Sequence, residues 1–126
     1  MRARRDYRAR RAAWRRGRAA EAACVLLLRL RLYRILARDY RVPSGEIDII
    51  ARRGRAVVAI EVKARPSLAD AAEAVSPRQR RRVARAFEHF LASRPDLAQL
   101  QPRFDVILVA PGRWPRHIVD AWRPGD

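Results

Sequence analysis

Two β-rich runs, Glu46 to Ala51 and Ala56 to Ala64, are separated only by Arg52-Arg53-Gly54-Arg55, and this pairing constrains the chain more than any other feature. A short, glycine-containing connection between runs rich in Ile and Val signals a β-hairpin. Side chains alternate faces along a strand. Glu46, Asp48 and Ile50 therefore share one face of the first run, with Ile47, Ile49 and Ala51 on the other. In the second run Ala59, Glu61 and Lys63 share a face opposite Val58, Ile60 and Val62. Pairing 53 with 56 around a two-residue turn, for instance, sets 48 opposite 61 and 46 opposite 63, and a slip of two would keep the faces. The expectation is one face carrying Glu46, Asp48, Glu61 and Lys63, backed by an apolar face.

Composition sharpens that face. Lys63 is the only lysine among 29 basic residues; all the others are arginine. Arginine is a planar, permanently charged fork, whereas lysine is a compact charge whose pKa moves on crowding or desolvation. A position that keeps lysine beside two carboxylates is one that needs a small cation or a proton handler. Carboxylates facing each other across neighbouring strands repel unless something positive lies between them, and hard oxygen donors suit Mg²⁺. Asp, Glu and Lys grouped this way suggest a metal-dependent phosphodiester-cleaving site. The plain alternative is an exposed face of cross-strand Glu–Lys and Asp–Arg pairs.

At 126 residues the chain is long enough for one core, and we read residues 1–126 as one domain. The net charge of +16 fits a polyanionic partner, nucleic acid first, although an arginine-rich, GC-driven composition would raise the charge without selection for binding. The single Cys24 excludes an internal disulfide or a cysteine metal cluster and reads as a small core residue. The apolar stretch Ala22 to Leu28 is too short to span a bilayer, which points to a cytoplasmic bacterial protein with no membrane partner.

Residues 1 to about 12 read as a flexible basic arm, and Trp14 to about Leu32 as a first helix. Glu21 falls on a helical stripe with Trp14, Val25, Leu28 and Leu32, a core-facing pattern in which a carboxylate needs a partner or a cation. Tyr33 to Tyr40 reads as a first strand ended by Arg38-Asp39, and Pro43-Ser44-Gly45 as a turn. Pro66 to Val75 reads as a loop or short irregular helix. Ser76 and Pro77 make an N-cap and N1 pair for a second helix to about Ser93, burying Val83, Phe87, Phe90 and Leu91. Its Arg78, Arg81, Arg82 and Arg85 project elsewhere, as a phosphate grip or as a solvated face. Pro95 to Pro102 reads as a linker, Phe104 to Val109 as a strand, and His117 to Trp122 as a short strand or helical turn. His89 and His117 lack ligand spacing. Trp114 and Trp122 read as packing or edge residues.

Four blocks in order carry a resemblance: Gly45-Glu46-Ile47-Asp48-Ile49-Ile50-Ala51, Ile60-Glu61-Val62-Lys63-Ala64-Arg65, Val75-Ser76-Pro77-Arg78 and Arg103-Phe104-Asp105-Val106. From about Arg16 to Trp122 the chain resembles the YraN-like family of small bacterial proteins, related to Holliday-junction resolvases within the PD-(D/E)xK nuclease superfamily. The resemblance implies an α/β fold, a mixed central sheet flanked by helices of the restriction-endonuclease and resolvase kind. It implies a Mg²⁺- or Mn²⁺-dependent endonuclease, structure-selective for branched or flapped DNA, acting as a homodimer where two cuts are needed. It also implies Asp48 and Glu61 as metal ligands with the Val62 carbonyl as a third. Lys63 would position or deprotonate the attacking water, or stabilise charge at the phosphate; Glu21 would match the first-helix glutamate of the resolvase-like branch, and Glu46 would match the motif without an assigned role. Gln79 stands where lysine is common in the family, and Asp39 where asparagine is common. The competing function is a catalytically silent nucleic-acid-binding module of the same fold; a basic assembly factor with a protein partner is a third.

Overall fold

The computed structural model describes residues 17–65 and 75–125. The basic arm, Trp14 and most of the Pro66 to Val75 segment lie outside the described residues. Helix α1 covers residues 17–30. It is followed by β1 (Arg34–Val42), β2 (Gly45–Arg53), β3 (Ala56–Ala64), α2 (Pro77–Ala92), a short 3-10 turn (Pro95–Leu97), β4 (Gln101–Val109) and β5 (Arg116–Ile118). The strands form one sheet in the order β1-β2-β3-β4-β5. Only β3 and β4 run parallel, with α2 in the connection between them; the other neighbours are antiparallel. The sheet is therefore mixed, and the fold is α/β.

Helices cover both faces, because the sheet's inward residues sort into two apolar groups. Val83, Ala86, Phe87 and Phe90 of α2 pack on Ile47, Ile50, Val57, Ala59, Phe104, Val106 and Leu108. Cys24, Val25 and Leu28 of α1 pack on Ile49, Ala51, Val58, Ile60 and Ile107. Cys24 is wholly buried, and burial pushes its thiol up to about 12. The cap of α2 is the anticipated one: Ser76 Oγ accepts from the Gln79 N–H at 3.2 Å, and Pro77 occupies the first turn. Gly45 allows α2 to lie directly on β2, since a Cβ there would collide with the Arg82 carbonyl oxygen.

Two expectations need correction. Leu32 is 81% exposed, because α1 stops at residue 30 and Leu32 takes φ +68°, leaving the helical stripe. The first strand does not end at Arg38-Asp39. It runs on to Val42, and Asp39 adopts φ +49° within it, a conformation that Asp tolerates better than most residues. Of the two tryptophans read as packing or edge residues, Trp114 is largely exposed and Trp122 is buried in a stack on Phe104. Among the described residues no helix is long and apolar enough to cross a membrane.

Candidate functional site

The hairpin closes as the even-loop arithmetic allows, with Arg53 paired to Ala56 around Gly54-Arg55 and Gly54 at φ +58°. The β2–β3 register continues to Ile49–Ile60, and there the regular pairing ends. Beyond it β2 stays with β1 as far as Gly45, while β3 stays with β4 as far as Ala64. The two strands fork. Backbone donors in a fork still need acceptors, and the carboxylates supply them. The Val62 N–H donates to Asp48 Oδ2 at 2.8 Å, and the Asp48 N–H donates to Glu61 Oε1 at 3.3 Å.

This exchange breaks the alternation of β2 and overturns the expectation of one shared face. Ile47 belongs to the α2-side core and Ile49 to the α1-side core, although they are two residues apart. Asp48 turns toward α1, where it lines a cavity of about 300 Å³ with Arg18, Glu21, Asp39, Arg41 and Val62. Glu61 turns the other way, and its Oε2 accepts from Gln79 Nε2 of α2 at 2.8 Å. Lys63 follows Glu61 by alternation. Glu46 is drawn off to Arg82 at 2.8 Å and stands at the rim, not in the fork. The site is thus a pair of carboxylates interlocked across a strand fork, with Lys63 on the α2 side and Glu21 on the α1 side.

Electrostatics agree with that geometry. Glu61 is 3% exposed. Burial, and then the Asp48 charge, push its carboxyl up to about 8; the Asp48 N–H and the Lys63 charge pull the other way. Asp48 is also raised, chiefly by burial, against the Val62 N–H and Lys63. Glu21 is raised by burial and by Asp39, while Arg38 Nε at 3.4 Å opposes the shift. Two adjacent groups that both resist ionisation titrate as a unit and hold a proton into the neutral range. A divalent cation could stand in for that proton.

The chemistry of the two donors suits such a cation. Asp48 and Glu61 offer hard oxygens and, when ionised, two negative charges, and Mg²⁺ is commonly held by one or two carboxylates with water and phosphate oxygens completing its shell. Among the described residues no group of three or more His, Cys, Asp or Glu side chains is gathered to hold a metal. Glu21 therefore lies near the pair without joining it. The arginines of α2 divide: Arg78, Arg81 and Arg85 are exposed, while Arg82 is half-buried and paired with Glu46. Sequence reasoning did not foresee Gln79 as a partner of Glu61, or Asp39 as part of the α1-side cavity. Their departures from the family pattern were the only signal.

This architecture defines the class: an α/β protein whose mixed sheet between two helices is consistent with a resolvase-like nuclease fold, with a carboxylate pair at the fork of its central hairpin. Residues 20–109 match the model described as "Uncharacterised protein family UPF0102". A UPF0102 protein of Parvibaculum lavamentivorans is 56% identical over 113 residues, covering 90% of this chain and 85% of that protein. Another, from Methylocella silvestris, is 50% identical over 117 residues, covering 93% and 94%. The chain belongs to UPF0102, the YraN-like family.

Proposed function

We propose that this chain is a Mg²⁺- or Mn²⁺-dependent endonuclease that cleaves DNA phosphodiester bonds, selecting its substrate by structure. The observation that carries the reading is the interlock of Asp48 and Glu61, each held by the other strand's amide, with the chain's sole lysine beside them. A divalent cation held by Asp48 and Glu61, with the Val62 carbonyl as a candidate third donor, would supply Lewis acidity toward a phosphate oxygen and a water of lowered pKa. The protein's own part is positional and electrostatic. Lys63 carries a compact positive charge whose field already reaches both carboxylates, and it can offset charge that develops on the phosphate. Exposed Arg78, Arg81 and Arg85 offer a grip on the backbone that is largely indifferent to sequence and strongly weakened by salt. Branched or flapped DNA is the substrate class, and paired cuts in a four-way junction would call for two copies of the chain.

A second reading has one specific observation in its favour. Without any cation, Glu61 is already satisfied by the Asp48 N–H and by Gln79, so the same fold can stand as a nucleic-acid-binding module that performs no chemistry. Cleavage of labelled duplex, flap, single-stranded and four-way-junction DNA with Mg²⁺ or Mn²⁺ separates the two. The endonuclease reading expects cutting by wild type and a loss of at least about 100-fold in Lys63→Ala, the scale of a lost electrostatic stabiliser. DNA binding without cleavage by either protein would favour the silent module.

A further inference from the structure

Gln79 reaches the carboxylate pair from a different element than either strand of the fork. Its Nε2 donates to Glu61 Oε2 at 2.8 Å, while Glu61 Oε1 takes the Asp48 N–H, so both oxygens of Glu61 are oriented from opposite sides. A long, flexible glutamine orients a partner only if its own backbone is fixed, and here it is fixed several times over. The Gln79 N–H is tied to Ser76 Oγ at 3.2 Å. The preceding turn is held by Arg80 Nε on the carbonyl of buried Val75 at 3.1 Å, and the Arg80 guanidinium lies 5.8 Å from the Trp122 ring centroid. Farther along α2, the Arg82 carbonyl rests on Gly45, and the Arg82 side chain holds Glu46.

Resting on the metal-site reading above, we infer that Gln79 is a positioning residue that holds the Glu61 carboxylate in the orientation in which it meets a divalent cation. An amide suits that task. It donates to a carboxylate without bringing a positive charge that would compete with the cation, as a lysine at this position would. The bond also couples α2, with its arginines, to the carboxylate pair through one side chain.

The test is Mn²⁺ titration of the full chain by calorimetry, with wild type, Gln79→Met and Gln79→Asn compared, and Asp48→Asn as the loss control. Methionine keeps the bulk and removes the donor. Asparagine keeps the donor and falls one methylene short. Both are expected to weaken Mn²⁺ binding on the order of 10-fold, as loss of an outer-shell partner does. Losing the donor to buried Glu61 should lower the melting temperature of both variants in EDTA. The titrations are therefore run well below it, where DNA affinity in EDTA should remain as in wild type and a weaker Mn²⁺ response reports the site and not a loss of fold. Wild type and both variants binding Mn²⁺ equally well would overturn the positioning role and leave the metal site standing. Wild type binding no Mn²⁺ would overturn the metal reading and this inference together.

Discussion

Glu61 and Asp105 are both buried carboxylates near the middle of the same sheet, on the neighbouring strands β3 and β4, where Ile60 pairs directly with Asp105. Their surroundings have opposite effects. Asp105 is 0% exposed and fully partnered: Arg103 donates through Nε at 2.9 Å and Nη2 at 2.8 Å, His117 Nε2 lies at 2.7 Å, and the Asp120 N–H donates at 2.9 Å. Burial alone would raise its pKa, but the bonds from His117, Arg103 and the Asp120 N–H outweigh burial and hold it below the ordinary value. Glu61 has one amide and one neutral side chain to meet the same burial, plus a carboxylate neighbour, and its pKa rises. One carboxylate fastens β5 to β4. The other has only the Lys63 charge to set against burial and a carboxylate neighbour, and that charge does not outweigh them.

The largest effect should come from taking Asp105 away. Asp105→Ala leaves the Arg103 guanidinium with only the Tyr33 hydroxyl and takes the carboxylate from buried His117 and from the Asp120 N–H. It should cost about 3–5 kcal/mol in urea unfolding, the scale of breaking a buried charged network. A loss under about 1 kcal/mol would mean that the network is ornamental and the comparison fails. A divalent cation should act in the opposite sense at the other pole. Mn²⁺ at a hundredfold excess over its dissociation constant should stabilise wild type by about 2.7 kcal/mol. At one fixed Mn²⁺ concentration the gain should be greater at pH 8 than at pH 5, where protons compete for the pair, and thermal melts at the two pH values check it.

The pH dependence separates the two carboxylates by sign. Asp105, depressed in the fold, contributes stability that is present above 3.8 and lost as pH falls through its folded pKa. Glu61, raised in the fold, contributes stability that is full below 4.5 and lost as pH rises through about 8. Glu61→Gln should therefore stabilise the metal-free protein at pH 8, on the order of 1–3 kcal/mol, and leave it little changed at pH 4. Equal effects at both pH values would show that Glu61 does not carry the strain assigned to it. The smallest effect belongs to Glu46, whose ion pair with Arg82 is solvent-facing. Glu46→Ala should leave the unfolding midpoint within experimental error, since exposed pairs contribute little.

Where the chemistry is local, the sequence carries the structure openly. The Gly54 turn fixes the hairpin register, and Ser76-Pro77 fixes the start of α2 to the residue. The fork was hidden because it depends on Asp48 and Glu61 capping each other's strand, an exchange that period-two alternation cannot represent. Alternation placed Ile47 and Ile49 together, and the structure places a sheet between them. The Asp105 network was equally opaque. Arg103 and Asp105 share a strand face by their spacing, but His117 and Asp120 arrive only through the pairing of β5 with β4, which has no local signature. Asp39 reads as a strand end because its residue type favours turns; the sheet accommodates it by letting it take a left-handed conformation in place.

Gly45 turns the contact between β2 and α2 into a fixed gauge. A backbone carbonyl pressed against a residue with no side chain leaves nothing to rotate, so the offset between the arginine-bearing helix and the forked strands is set by the main chain. Side-chain repacking cannot lengthen or shorten it. On the proposed endonuclease reading, a polyanion spanning both jaws of that calliper would have to bring its phosphates to the protein's spacing, and the nucleic acid would do the bending. Among nucleic acids of equal charge, the ones that bend or open most easily would fit it best.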